Sequence, residues 1–229
     1  MSQHHLPEST PGVDVFPQFS TLYSLVAPEV ETLTDPQLDW ESDKWVWANW
    51  SIRRQVSHMA SFLPGWLLRR WGPRLFPKGY AELGDLANLI DVASSMTFPV
   101  EIRWLDEARY KRISIILGFL ERGLNLAQYI LSRETLGSMR EKEEPRPDTP
   151  PHWKKQFYKA HPTGVRWPGE DPQFSYITLE ATFRHLYYEV ITHLYNVQRL
   201  KRAQGLTTVV DIPYEGYWAL DDWDRSEAI

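Results

Sequence analysis

The stretch Ile113–Leu131, ISIILGFLERGLNLAQYIL, carries apolar side chains at Ile113, Ile116, Leu117, Leu120, Leu124, Ala127 and Leu131. That spacing of three and four follows the turn of an α-helix and draws one apolar stripe along it. It predicts a long helix over about 106–140. Gly118 and Gly123 weaken that helix locally and admit the close approach of a neighbour.

Three further segments repeat the pattern on either side. From Phe16, apolar residues fall at Phe19, Leu22, Tyr23, Val26 and Val30, with Pro28 expected to kink or shorten the helix. Ser51 reads as an N-cap, and Gln55 lies close to capping-box spacing. Ile52, Val56, Met59, Ala60 and Leu63 then line one face until Pro64-Gly65 ends or kinks the segment. A last helix over about 177–204 stops at Gly205, with Lys201 and Arg202 suited to the negative end of its dipole. Residues 73–100 read as a mixed connection with a short helix over 81–94.

Residues 141–175 hold seven prolines and read as a long loop. Residues 1–14 read as flexible, and 206–229 as a tail that packs back on the body. The expectation is one all-α domain over 1–229, a four-helix bundle with a long Pro-rich loop before its last helix.

Composition narrows the function classes. The chain has 229 residues, 25 basic and 30 acidic, for a net charge of −5. That balance argues against nucleic acid as a partner. There is no cysteine, which excludes disulfides, thiolate metal sites, iron–sulfur clusters and a cysteine nucleophile. No signal-peptide pattern opens the chain and no apolar run suits a membrane span, so a cytoplasmic protein is expected. Eleven Trp, eleven Tyr and nine Phe are an unusual number, and many are expected in a core, in a homodimer interface or around a pocket.

With no thiolate available, any metal must be held by His, Asp, Glu or backbone oxygens. In the last helix His185, Glu189 and His193 recur every four residues, so neighbours project from one side, a turn apart. At about 100° per residue, His193 lies roughly 70° from the centre of the apolar face, Glu189 on its shoulder, and His185 nearly opposite. Glu189 with His193 is therefore the inward pair, and His185 is expected in solvent. The same spacing also describes an exposed Glu–His pair, and two ligands do not make a site. His58 is the candidate third ligand, although it lies roughly 150° from the apolar direction of its own helix. His152 and His161 fall in the Pro-rich segment, as groups able to close over a site or as ordinary loop residues. Arg53-Arg54, Arg69-Arg70 and Lys201-Arg202 read as solvated basic clusters, and Glu180 with Arg184 as a surface ion pair. Trp40, Trp45, Trp47 and Trp50 form either an aromatic wall beside the metal or packing at the helix start or in a dimer contact.

The segment Trp50-Ser51-Ile52-Arg53-Arg54-Gln55-Val56-Ser57-His58-Met59-Ala60 resembles the opening of the second helix in the DinB/YfiT-like superfamily. There, Trp-Ser and a short helical stretch precede a metal-binding His. The stretch from Glu189 through His193 to Arg199 is similar to that superfamily's last bundle helix, with its ligand pair spaced by four. The resemblance implies a metal-binding four-helix bundle in which His58 is the first ligand and His193 the last. Glu189 takes the middle position, where many members have His and the mycothiol-dependent maleylpyruvate isomerases have Glu.

Two imidazoles and one carboxylate suit a divalent ion, Zn or Ni first and Fe or Mn after them, with positions left open for water or a substrate carbonyl. The expected activity is thiol-dependent transfer or isomerisation of a small-molecule substrate, or metal-activated hydrolysis. The resemblance implies a low-molecular-weight thiol supplied from outside as co-substrate. No separate general base stands out. The alternative is a non-catalytic, stress-related metal-binding or dimeric module. A non-haem iron oxygenase would use the same ligand set but gains nothing from the resemblance.

Overall fold

The computed structural model describes residues 6–94, 103–146, 151–169 and 174–228. The chain there is mainly helical, with one small antiparallel sheet. Four of the helices carry most of the core: α1 (Leu22–Val30), α2 (Ile52–Pro64), α3 (Ile113–Arg133) and, last in the chain, one over Leu179–Ala203.

α2 starts where the sequence places it, because the Ser51 hydroxyl accepts the Arg54 amide at 3.3 Å. The capping box does not form: the Ser51 amide donates to Glu41 instead, at 3.1 Å, which frees the Gln55 side chain. α2 ends at Pro64, as expected, and the chain continues as a π-helical turn over Gly65–Arg70, closed by the Trp71 amide on the Trp66 carbonyl. Proline supplies no N–H and crowds the preceding turn, and a wider turn accommodates both defects.

α3 is shorter than its sequence pattern. It ends at Arg133, Glu134 is extended, and the Thr135 hydroxyl caps a new short helix, α4 (Leu136–Glu141). The break is held from outside. The Gly12 amide donates to the Glu134 carbonyl at 2.8 Å and the Leu136 amide to the Thr10 carbonyl at 2.9 Å. Residues 6–14 are thus tied to the end of α3, where flexibility was expected, and residues 1–5 lie outside the described residues. Gly12 is required there, since a Cβ would meet the Leu131 carbonyl oxygen at 2.6 Å. Of the two glycines within α3, Gly123 faces the Leu63 side chain of α2 at contact distance while Gly118 faces open space.

The segment 141–175 is not simply a loop. Its described parts form β1 (Glu143–Arg146), α5 (Pro151–Ala160), β2 (Val165–Arg166) and β3 (Ser175–Thr178). The antiparallel order is β1-β3-β2, with Glu143 opposite Thr178 and Val165 opposite Ile177. β3 runs directly into α6 (Leu179–Ala203), whose N-cap is Thr178, accepting the Ala181 amide at 3.1 Å. Gly205 beyond α6 takes a left-handed conformation, as a C′ residue does.

The tail crosses α6 and covers it. Gln198 donates to the Val210 carbonyl at 2.7 Å, and the Tyr217 amide donates to the Thr192 hydroxyl at 3.0 Å. α6 therefore buries several faces rather than one stripe. Two residues assigned to solvated basic clusters are buried for related reasons. Arg53 pairs with Asp35 and Asp39 and donates to the Lys111 carbonyl, and Lys201 pairs with Glu29. Among the described residues no helix is long and apolar enough to cross a membrane.

Candidate metal centre

His58 projects from the middle of α2, and Glu189 and His193 project from α6 one turn apart. The three come together, with one ligand atom from each lying within 4.8 Å of the others. Glu189 Oε2 is 3.2 Å from His193 Nε2, and the two imidazole rings meet edge to face at 4.6 Å.

Their second ring nitrogens are already engaged. His58 Nδ1 lies 2.6 Å from the Arg103 carbonyl oxygen, which can only accept, so Nδ1 carries the proton. His193 Nδ1 lies 2.5 Å from Gln55 Oε1. The Gln55 amide is oriented by its own Nε2, which donates to the Trp50 carbonyl at 3.4 Å. Both rings thus keep Nε2 for the shared centre, where the Glu189 carboxylate also converges. Three acceptors facing one point is the donor chemistry of a cation site.

Aromatic rings close the back of the centre. Trp50 stacks on His193, Phe62 stacks on His58 at 5.2 Å, and Trp104 meets Trp50 edge-on at 5.1 Å. Of the four tryptophans considered for a wall, only Trp50 serves here. Trp45 stacks on Trp47, Trp47 lies under the Arg199 guanidinium, and Trp40 packs against the core.

Burial and the like charge of His193 hold His58 down at about 3, against the pull of Glu189. Burial works the other way on Glu189, but the close contact with His193 and the neighbouring imidazoles bring it to about 2. At neutral pH the centre therefore presents a neutral His58 and an ionised Glu189, the protonation states a metal requires.

The solvent position expected for His185 is overturned. It is 4% exposed, packed against Trp66 and Phe157, and its Nδ1 lies 2.7 Å from the Tyr217 hydroxyl and 3.8 Å from Glu189 Oε1. His161 is fully buried on the other side of the same hydroxyl, at 2.7 Å. Burial depresses both imidazoles, His185 to about 3. Glu180 and Arg184 do pair, but Glu180 is buried. His4 and His5 lie outside the described residues, as does the side chain of His152.

Sequence reasoning missed Gln55, Tyr217 and the Arg103 carbonyl. Gln55 carried a usable signal, since it precedes His58 by three residues and so shares its side of α2. No protein-family model, curated protein or solved structure matches this chain.

Proposed function

We propose that the chain is a mononuclear metal-dependent enzyme built on a DinB-like four-helix bundle, with His58, Glu189 and His193 as its protein ligands. The convergence of two Nε2 lone pairs and one buried carboxylate, with both Nδ1 protons committed elsewhere, supports this reading. A bound Zn or Ni ion, or Fe or Mn after them, supplies a Lewis acid with positions open to water or a carbonyl oxygen. Among the described residues no fourth His, Asp or Glu joins the group, which favours an open centre over a closed structural one.

The chain's own groups divide the remaining work. Arg103 and Gln55 hold the ring protons away from the centre, and Glu189 brings the compensating negative charge. Trp50 and Phe62 keep water from the backs of the two rings. The reaction in this reading is thiol-dependent transfer or isomerisation of a small molecule, or hydrolysis. Any thiol comes from outside, because the chain has none. A cytoplasmic homodimer belongs to the same reading.

The test is elemental analysis of untagged protein purified without chelators or nickel resin, beside its His58→Ala variant. Near-stoichiometric metal in the first and little in the second is the expected result. No metal in the native chain, even after reconstitution with each divalent ion in turn, would overturn the proposal. Glu189 and His193 would then be an ion pair in a non-catalytic module.

A further inference from the structure

We infer that Gln55 is a positioning residue for the metal centre: its side-chain oxygen fixes His193 as the Nδ1–H tautomer and so reserves Nε2 for the ion. The inference rests on the proposed metal reading.

A neutral imidazole in water favours its proton on Nε2, the tautomer with no lone pair for the centre. An acceptor fixed beside Nδ1 opposes that preference, and it is the nearer of the two acceptors on this ring, since Glu189 Oε2 stands 3.2 Å from Nε2. Gln55 Oε1 stands 2.5 Å from His193 Nδ1, and Gln55 is 3% exposed, so water does not compete for the contact. The Trp50 carbonyl sets the orientation of the amide, because Gln55 Nε2 donates to it and a flipped amide would set oxygen against oxygen there.

The side chain is not spent on its helix. Ser51, the residue a capping box would tie to it, gives its amide to Glu41. One turn of α2 therefore supplies a ligand, His58, and the group that orients the ligand on α6. Trp50 takes part twice, through its carbonyl on Gln55 and its ring on His193. Outer-shell partners of this kind typically contribute about ten- to hundredfold in metal affinity.

The experiment compares the full-length protein with Gln55→Met, Gln55→Leu and Gln55→Glu. Zinc affinity is measured by competition with a chromophoric chelator. The His193 tautomer is read separately from long-range proton–nitrogen correlation spectra of chelator-treated protein at neutral pH. Met and Leu remove the acceptor, and whichever retains the native circular dichroism spectrum serves. Each should weaken zinc binding about ten- to hundredfold and move His193 toward the Nε2–H form. Gln55→Glu keeps an acceptor and should restore both properties. Unchanged zinc affinity and an unchanged tautomer in a folded Met or Leu variant would overturn the inference while leaving the metal site standing. A native chain that binds no zinc removes the metal reading, and the spectra alone then decide whether Gln55 sets the tautomer.

Discussion

The indole of Trp50 lies face to face with the imidazole of His193, ring planes 8° apart and centroids 5.9 Å apart. The same indole meets His58 edge-on at 5.3 Å. One ring thus touches both imidazoles of the proposed centre, and an ion held by them would lie close to the indole.

Titrating Ni²⁺ into chelator-treated protein should therefore quench tryptophan emission saturably. The quenched share should be on the order of one or two tryptophans among eleven, since Trp104 is the next ring outward. Trp50→Phe should take up the same amount of nickel, measured directly, with most of the optical response gone. An equal response in that variant would show that Trp50 does not sense the centre.

The buried Glu29–Lys201 pair fixes where the tail leaves α6. Glu29 accepts from the Lys201 ammonium, from Gln198 at 2.8 Å, and from the Val209 and Val210 amides at 2.8 and 2.9 Å. Burial pushes its carboxyl upward, but these donors together hold it below the usual carboxylate range. Glu29→Ala takes the counter-charge from Lys201, itself 3% exposed, and leaves its ammonium the residue-29 carbonyl, so it should cost about 3–5 kcal/mol in urea denaturation. Adding Lys201→Met should recover part of that loss. A cost below about 1 kcal/mol, the range of a surface pair, would contradict the assignment.

How far the sequence shows this fold depends on how local the cause is. The stripe from Ile113 to Leu131, the Ser51 cap and the stop at Gly205 are set by residues within a turn of one another, and each is readable. The break at Glu134 is not, because its partners are Thr10 and Gly12, far away in the chain. The pairing of β1 with β3 is likewise non-local, and seven prolines disguised it as loop. At the centre, a spacing of four placed Glu189 and His193 side by side. His58 joined them through resemblance alone, since its helical phase pointed elsewhere. His185 was misplaced because a wheel measured from one apolar stripe cannot represent a helix that a tail covers from another side.

That covering makes the Tyr217 hydroxyl a buried junction. It lies 2.7 Å from both His161 Nε2 and His185 Nδ1, and Tyr217 is fully buried. Tyr217→Phe keeps the ring and removes the hydroxyl oxygen that both buried imidazoles contact. Unsatisfied buried polar groups cost about 1–3 kcal/mol each, so the variant should lose on the order of 2–4 kcal/mol in chemical denaturation. Little or no loss would mean that the two rings find other partners.

The same imidazoles should make the protein acid-sensitive before any carboxylate titrates. Burial holds His185 at about 3 in the folded chain against 6.5 for a free imidazole, His161 is displaced in the same direction, and His58, also at about 3, adds to the same window. Between those two values the unfolded chain binds the proton and the folded chain does not. Stability is therefore full above about 6.5 and falls as pH drops through the window, by up to ~1.4 kcal/mol per pH unit for each such histidine. Glu189 adds its own loss only below 4.5, as pH approaches about 2. The urea midpoint of chelator-treated protein should be level above neutrality and decline steeply from pH 6.5 to 4.5. His185→Gln keeps a hydrogen-bonding group near Tyr217 but cannot take the proton, so its midpoint should decline less over the same range. An identical slope in that variant would place the acid-sensitive group elsewhere.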